Sequence, residues 1–504
     1  MGEPSKSSEA VVADAYSGPP THVRWRIVGL LMAHAAVCHF NRISISVAGN
    51  ERIMQQYLID PTTMGVVYSA YLLTYTICMT PGGWLIDRRG PRSAMLLMVL
   101  GAAFFVALTG LASRAFESPL PAVATSTVGL VGSPLGQGPL VTTAALMAQS
   151  TFWICWPLVV TLVVIRGLLG IVSAPMHPGA ARVVSFWVPA ASRTWANGLV
   201  TGAALLGIAG TYSGFGFLMD RFGWQNAFIV AGGATAVLAA VWAGYATDRP
   251  SKHRSANAAE CRLIDAGGDC FTARAAETVA PATAQAAAVR DPGTLELLFR
   301  NRSLLLLTVS YAAVSYVQYL FFYWMQYYFN AVLKLGTEQS RLYATAPSLA
   351  MAAGMFLGGW LSDRAQEQFG PRRGRMLVPV LGMTASALLL VLGLLSGQPW
   401  WVVPCFTLSM AALGTCEGTF WTTGIELGGR RGGTSAGILN TGGNAGGLLA
   451  PVLTPLLSAS FSWQAGIALA SAVCLTGAGL WAWIDPAERT QFTERGAMQP
   501  QHDS

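Results

Sequence analysis

Charge is what this sequence has least of. Only 11% of its 504 residues are Asp, Glu, Lys or Arg, where a soluble domain carries about 25%. That excludes the water-facing surface a soluble chain of this length would need. With 53% hydrophobic residues, the composition points instead to repeated membrane spans. Histidine is scarce at 6 and cysteine at 8. The cysteines show neither CxxC spacing nor a Cys/His cluster, so no metal site or disulfide framework is expected and all read as free thiols. No nucleotide-binding loop occurs, and the serine of GTSAG (433–437) is not read as a nucleophile, so neither an enzyme nor a cofactor is expected. The opening MGEPSKSSEAVVADAYSGPPTH lacks a basic segment followed by a short apolar core, and no cleavable signal peptide is expected.

What is present is a series of apolar runs, each long enough to span about 30 Å of hydrocarbon. Six fall near 26–48, 64–86, 93–112, 152–175, 195–219 and 225–246. Six more fall near 303–330, 342–362, 375–396, 399–424, 434–458 and 463–484. The expected fold is an all-α membrane protein with twelve transmembrane helices in two six-helix halves, 26–246 and 303–484. A cytoplasmic tail (1–25), a cytoplasmic linker (247–302), a second tail (485–504) and an outer-loop insert (113–151) complete the expected organisation. Basic residues set the orientation. With the N-terminus inside, outer loops hold only Arg52, Arg114, Arg221, Lys334 and Arg341. Arg42 and Arg166 lie within spans, and the remaining basic residues face the cytoplasm. The net charge of +7 therefore belongs to inner-face loops of an inner-membrane protein, and no nucleic-acid partner is expected.

The halves echo one another. GGWLIDRRGPR (82–92) returns as GGWLSDRAQEQFGPRR (358–373), and FGWQNAF (222–228) more weakly as FSWQAGI (461–467). Repeated helical halves are what alternating-access transporters use. In the loop motif, Gly83 is expected to let helices approach closely and Asp87 to cap a helix or pair with an arginine. Gly90 makes the turn with Pro91, and Arg88, Arg92, Asp363 and Arg364 join the inner-face gating set.

Arg42 and Arg166 carry the first clue to cargo. A guanidinium in the bilayer costs roughly 2.5–3.5 kcal/mol or more. Its five donors suit a carboxylate in a dehydrated cavity. Snorkelling to the outer interface would also explain Arg42, and bonds to helix carbonyls would also explain Arg166. Tyr68, Tyr71 and Tyr75 share one helical face, as do Tyr319, Tyr323 and Gln326, while Asn440 and Asn444 lie one turn apart. These can bond substrate hydroxyls or bond neighbouring helices.

The loop motif resembles the signature of the major facilitator superfamily. The stretches RWRIV, CHFNRISISVA, IRGLLGIVSAPMHPGAARVVSFWVPAASRTWANGL and AGILNTGGNAGGLLAPVL are similar to the anion:cation symporter family, whose bacterial members take up sugar acids such as galactonate, glucarate and hexuronates. The resemblance implies arginines at both matching positions, with Arg42 on the substrate carboxylate, and cavity-facing roles for Tyr75, Trp421 and Asn444. It also marks two departures. Asn41 and Ser173 stand where family members keep the acids that carry the proton, and neither can titrate near neutral pH. Glu417, His39, His34 and His177 are the substitute candidates. The expectation is a monomeric transporter of a small organic anion, a sugar acid or related carboxylate, embedded in the lipid bilayer, with a co-transported proton. The alternatives are a uniporter or anion exchanger without proton coupling, and a non-transporting sensor.

Overall fold

The computed structural model describes residues 19–116, 156–189, 192–265, 301–428 and 432–485. Residues 1–18 of the N-terminal tail, most of the 113–151 insert, the later part of the linker and residues 486–504 lie outside these residues. No strand occurs among the described residues. The helices of the first half are α1 (Val23–Ala48), α2 (Pro61–Arg89), α3 (Pro91–Ser113), α4 (Trp156–Trp187), α5 (Arg193–Phe222) and α6 (Trp224–Tyr245). Those of the second are α7 (Arg302–Tyr327), α8 (Thr337–Gly370), α9 (Arg372–Leu394), α10 (Pro399–Leu427), α11 (Gly432–Ser460) and α12 (Trp463–Leu480). Ten of them are long and apolar enough to cross a membrane. The 29-residue helices α2 and α11 complete the twelve.

Local chemistry sets the helix ends. Asp60 caps α2 by accepting from the N–H groups of Thr62 (2.9 Å) and Thr63 (3.0 Å), and Pro61 supplies a preformed first turn. The repeated motif builds the same reversal in both halves. Gly90 (φ 82°) joins α2 to α3 and Gly370 (φ 83°) joins α8 to α9, each before a proline, in a backbone region that L side chains avoid. The motif's close approach belongs to its first glycine. A Cβ on Gly82 would lie 3.2 Å from Pro175, and one on Gly358 would lie 2.1 Å from the Thr415 carbonyl. Gly83, expected to make that approach, has open space beside it, as does Gly359. The two glycines point to different sides of one helix, and only one side meets a neighbour.

Helix α1 overruns its expected end at residue 48. It continues through a π-helical turn, Gly49–Ile53, to Tyr57. The polar sequence GNERIMQQY remains helical because its charges find partners: Glu51 is buried and paired with Arg341. Arg341, expected in an outer loop, is itself 6% exposed near the start of α8.

The chain forms two compact units. One contains residues 1–286, 321–349 and 451–463, the other 287–320, 350–450 and 464–504. The first unit has a continuous apolar core in which Val23, Ile27 and Leu31 of α1 meet Met95 and Met98 of α3, Trp187 of α4 and Trp242 of α6.

The described part of the linker is folded onto this unit. His253 packs edge-on against Trp187 and Tyr245, and a short helix, Ala258–Asp265, follows. Glu260 from that helix is fully buried at the N-terminus of α1. It accepts from the N–H groups of Val23 (3.0 Å) and Arg24 (2.9 Å), from the Arg24 guanidinium (3.1 Å) and from the Thr21 hydroxyl. Burial disfavours its charge, but the Arg24 N–H, the Thr21 hydroxyl, the Val23 N–H and the Arg24 charge together hold its pKa below the usual carboxylate value. A depressed folded pKa contributes stability above the unfolded value, and that contribution is lost as pH falls through the folded value. Acidification through that lowered value should therefore weaken the hold of residues 247–265 on α1. Glu260→Gln should do so at neutral pH, at about 1.5–3 kcal/mol for lost bonds to a charged group. Amide hydrogen exchange reads both effects, and unchanged protection of 247–265 in the variant would refute the latch.

Candidate functional site

Two polar clusters lie among the helices, one in each unit. The first is built on α1, α2 and α4. Gly170 lets α4 close on α2, since a Cβ there would sit 2.4 Å from the Tyr71 carbonyl. That approach brings Arg166, one turn earlier, against the middle of α1. Arg166 is fully buried and spends its fork on the backbone, donating to the carbonyls of Asn41 (3.1 Å) and Arg42 (2.6 Å). Its guanidinium also lies 5.2 Å from the Tyr71 ring. It thereby fixes the segment of α1 that carries Arg42.

Arg42 is 6% exposed and points at aromatic faces, 5.3 Å from the Tyr71 ring centroid and 5.5 Å from that of Tyr75. The two tyrosines stack on each other at 5.7 Å. Because α1 runs on to Tyr57, fifteen residues past Arg42, the helix end is about 20 Å away. A side chain cannot snorkel that far.

The polar neighbours of Arg42 turn to different partners. Asn41 turns to α6 and donates to the Thr235 hydroxyl at 2.9 Å, while its side-chain carbonyl finds no hydrogen-bond partner among the described residues. Ser173 is buried beside Tyr71 and Cys38. His39 and His177 meet edge to face at 5.4 Å, and Nδ1 of His39 contacts the Ala35 carbonyl at 3.0 Å. His34 lies apart, against Trp242 at 4.9 Å.

The expected face of α7 divides between the units. Tyr323 stacks on Tyr68 at 5.2 Å, and Gln326 donates to Glu51. Tyr319 belongs to the second cluster, where its hydroxyl donates to Asn444 at 2.9 Å and Asn444 in turn donates to the Asn440 side chain at 3.1 Å. Beside them, α10 breaks at Thr415 and Cys416 and restarts at Glu417. The Glu417 carboxyl accepts from Tyr311 (2.5 Å), Gln318 (3.3 Å) and Trp421 (3.3 Å). Tyr311 and Gln318 escaped the sequence reading. Their seven-residue spacing, two helical turns, places both on one face of α7 and was the available signal. Ser435 of GTSAG, whose spacing does match a nucleophile elbow, lies within α11 and donates to the Gly424 carbonyl at 2.6 Å. An elbow requires a strand before the helix.

At the gating motif, Arg88 lies over the Trp84 ring at 3.8 Å, and Arg364 over Trp360 at 6.0 Å. Each pair is four residues apart, so the repeat conserves the same ring–cation step in both halves. Arg364 also pairs with Glu367 at 3.5 Å, and both side chains are exposed, as is Asp363. The Asp87 side chain lies outside the described residues. Arg92 instead ties α3 to the end of α6, donating to the Ala243 carbonyl at 2.7 Å, while its N–H donates to Asp248 at 3.0 Å.

Twelve long helices, a repeated inter-helix turn and buried arginines define a polytopic helical membrane protein of the solute-carrying kind. The chain belongs to the Major Facilitator Superfamily, whose family model matches residues 31–451. It is 26% identical over 445 residues to the probable galactarate/D-glucarate transporter GudP of Bacillus subtilis, covering 87% of this chain and 86% of that protein. It is 25% identical to the probable sulfoacetate transporter SauU of Cupriavidus necator (95% of this chain, 98% of that protein). It is 22% identical to a D-galactonate transporter of Escherichia coli (91% and 95%). A crystal structure of a bacterial homologue of the human lysosomal transporter Spinster, inward-facing and occupied, matches with a TM-score of 0.63 over 92% of this chain and 96% of that one. At 13% identity that likeness shows the shared fold.

Proposed function

We propose that this protein carries a small organic anion, a hydroxylated carboxylate of the sugar-acid class, across the cell membrane. Both termini lie on the cytoplasmic side in this reading, and the protein works as a monomer. The observation that carries it is Arg42, a buried guanidinium at mid-helix depth, faced by Tyr71 and Tyr75 and held from behind by Arg166. A planar fork in a low-dielectric setting attracts carboxylate or sulfonate oxygens and gives a neutral polyol nothing comparable. The relatives' names, which are those of transporters of galactarate or glucarate, galactonate and sulfoacetate, support the sign of the cargo.

The test is counterflow by the purified full-length protein in liposomes, with labelled D-glucarate, D-galactonate and sulfoacetate set against uncharged galactitol. At least one anion should exchange and galactitol should not. Absence of exchange for all three anions would overturn the reading, and binding without flux would mark a sensor on the same fold. A second reading, uniport or anion exchange without a coupled ion, rests on the neutral, inward-packed Asn41 and Ser173.

A further inference from the structure

Three acids are buried among the described residues: Glu51, Glu260 and Glu417. Two are locked by a cation. Glu51 accepts from Arg341 at 2.7 and 2.5 Å, and Glu260 from Arg24 at 3.1 Å. Glu417 differs. Its three partners, Tyr311, Gln318 and Trp421, are all neutral, and no ion pair reaches it among the described residues.

We infer that Glu417 is the group that takes up and releases a coupling proton. Three neutral donors can hold the carboxylate without fixing its charge. When the acid is protonated, its O–H can donate back to the Tyr311 oxygen, because a phenol both gives and accepts. The Glu417–Tyr311 bond therefore persists in both states with its direction reversed, Gln318 and Trp421 continue to donate to the carboxyl oxygens, and the site charge changes by one between the states. Among the described residues the surroundings supply no competing charge. The titratable groups around it are Tyr311 and Tyr319 of α7, Cys416 at the break just before it, and Cys474 of α12 beside Cys416. Phe420 and Trp421 close the site against the Tyr311 ring, at 5.2 and 6.2 Å. Glu417 also sits in the first turn of the helix Glu417–Leu427, where the backbone dipole favours its ionised form. The proton comes from water on one side and leaves to water on the other, one per cycle, with no other reactant.

The inference rests on the anion-transport reading for its transport arm, and a spectroscopic arm is independent of it. In reconstituted full-length protein, infrared spectra recorded across a pH series should show a carboxylic-acid C=O band that disappears as pH rises and is missing in Glu417→Gln. Tyr311→Phe, which keeps the carboxyl, should shift the pH of that transition. In liposomes loaded with D-glucarate, the Gln variant should keep counterflow. It should lose the accumulation, about tenfold per proton for one pH unit, that a gradient drives in the wild type. Gradient-driven accumulation by Glu417→Gln equal to wild type would overturn the inference, as would an unchanged band. Wild-type failure in counterflow would instead strike the anion assignment.

Discussion

Arg42→Ala should abolish anion uptake while leaving a folded protein. Losing one side of a buried, hydrogen-bonded charge pair costs about 2–5 kcal/mol, which converts to a loss of about 30-fold or more in affinity. The side chain packs on two tyrosine rings that can re-pack on each other, so the thermal midpoint should move little. Arg42→Lys keeps the charge and loses the planar fork. It should retain weak uptake with the defect in apparent affinity. Arg166→Ala offers the contrast. That guanidinium bonds the carbonyls of residues 41 and 42 across helices, so its loss should lower stability and transport together. Counterflow beside thermal unfolding in the same liposome-compatible lipid separates the two roles. Wild-type uptake by a folded Arg42→Ala protein would remove Arg42 from the binding site.

The helical architecture was legible because hydropathy is set by the bilayer, which acts on every span alike. The repeat was legible too, since GGW and the Gly-Pro turn each answer a local backbone demand that recurs at Gly90 and Gly370. What periodicity could not supply was partnership. Arg341 reads as an outer-loop residue until Glu51, far away in sequence, is seen to hold it. Gln326 shares a helical face with Tyr319 yet bonds elsewhere, because that face is long enough to meet different neighbours along its length. Arg42 reads as a within-span arginine from its chemistry, and the choice between cavity and snorkelling needs the length of helix beyond residue 48. The polar stretch after it stays helical only through long-range pairing. Glu260 was unreadable for the same reason: a linker glutamate becomes a helix cap only when the fold brings α1 to it.

Arg341→Ala should be the most destabilising single substitution among the charged residues discussed. Its guanidinium donates to both oxygens of Glu51, at 2.7 and 2.5 Å, and to Asp220 at 2.5 and 3.1 Å. Glu51 is 5% exposed, so removing the cation strands a buried carboxylate, at about 3–5 kcal/mol. Gln326 continues to donate to Glu51 but cannot neutralise it. Asp220 behaves differently. Its side chain is 46% exposed and keeps a second partner in Arg52 at 3.0 Å, so Asp220→Asn should cost no more than about 1 kcal/mol. The double variant Glu51→Leu/Arg341→Leu decides the cause. If stranded charge is the penalty, removing both partners restores most of the stability lost in Arg341→Ala, because a buried ion pair contributes little beyond an apolar pair of similar size. Thermal midpoints of the four proteins in one lipid give the answer. A double variant no more stable than Arg341→Ala would mean that the network holds the ends of α1, α5, α7 and α8 by its geometry rather than by charge balance.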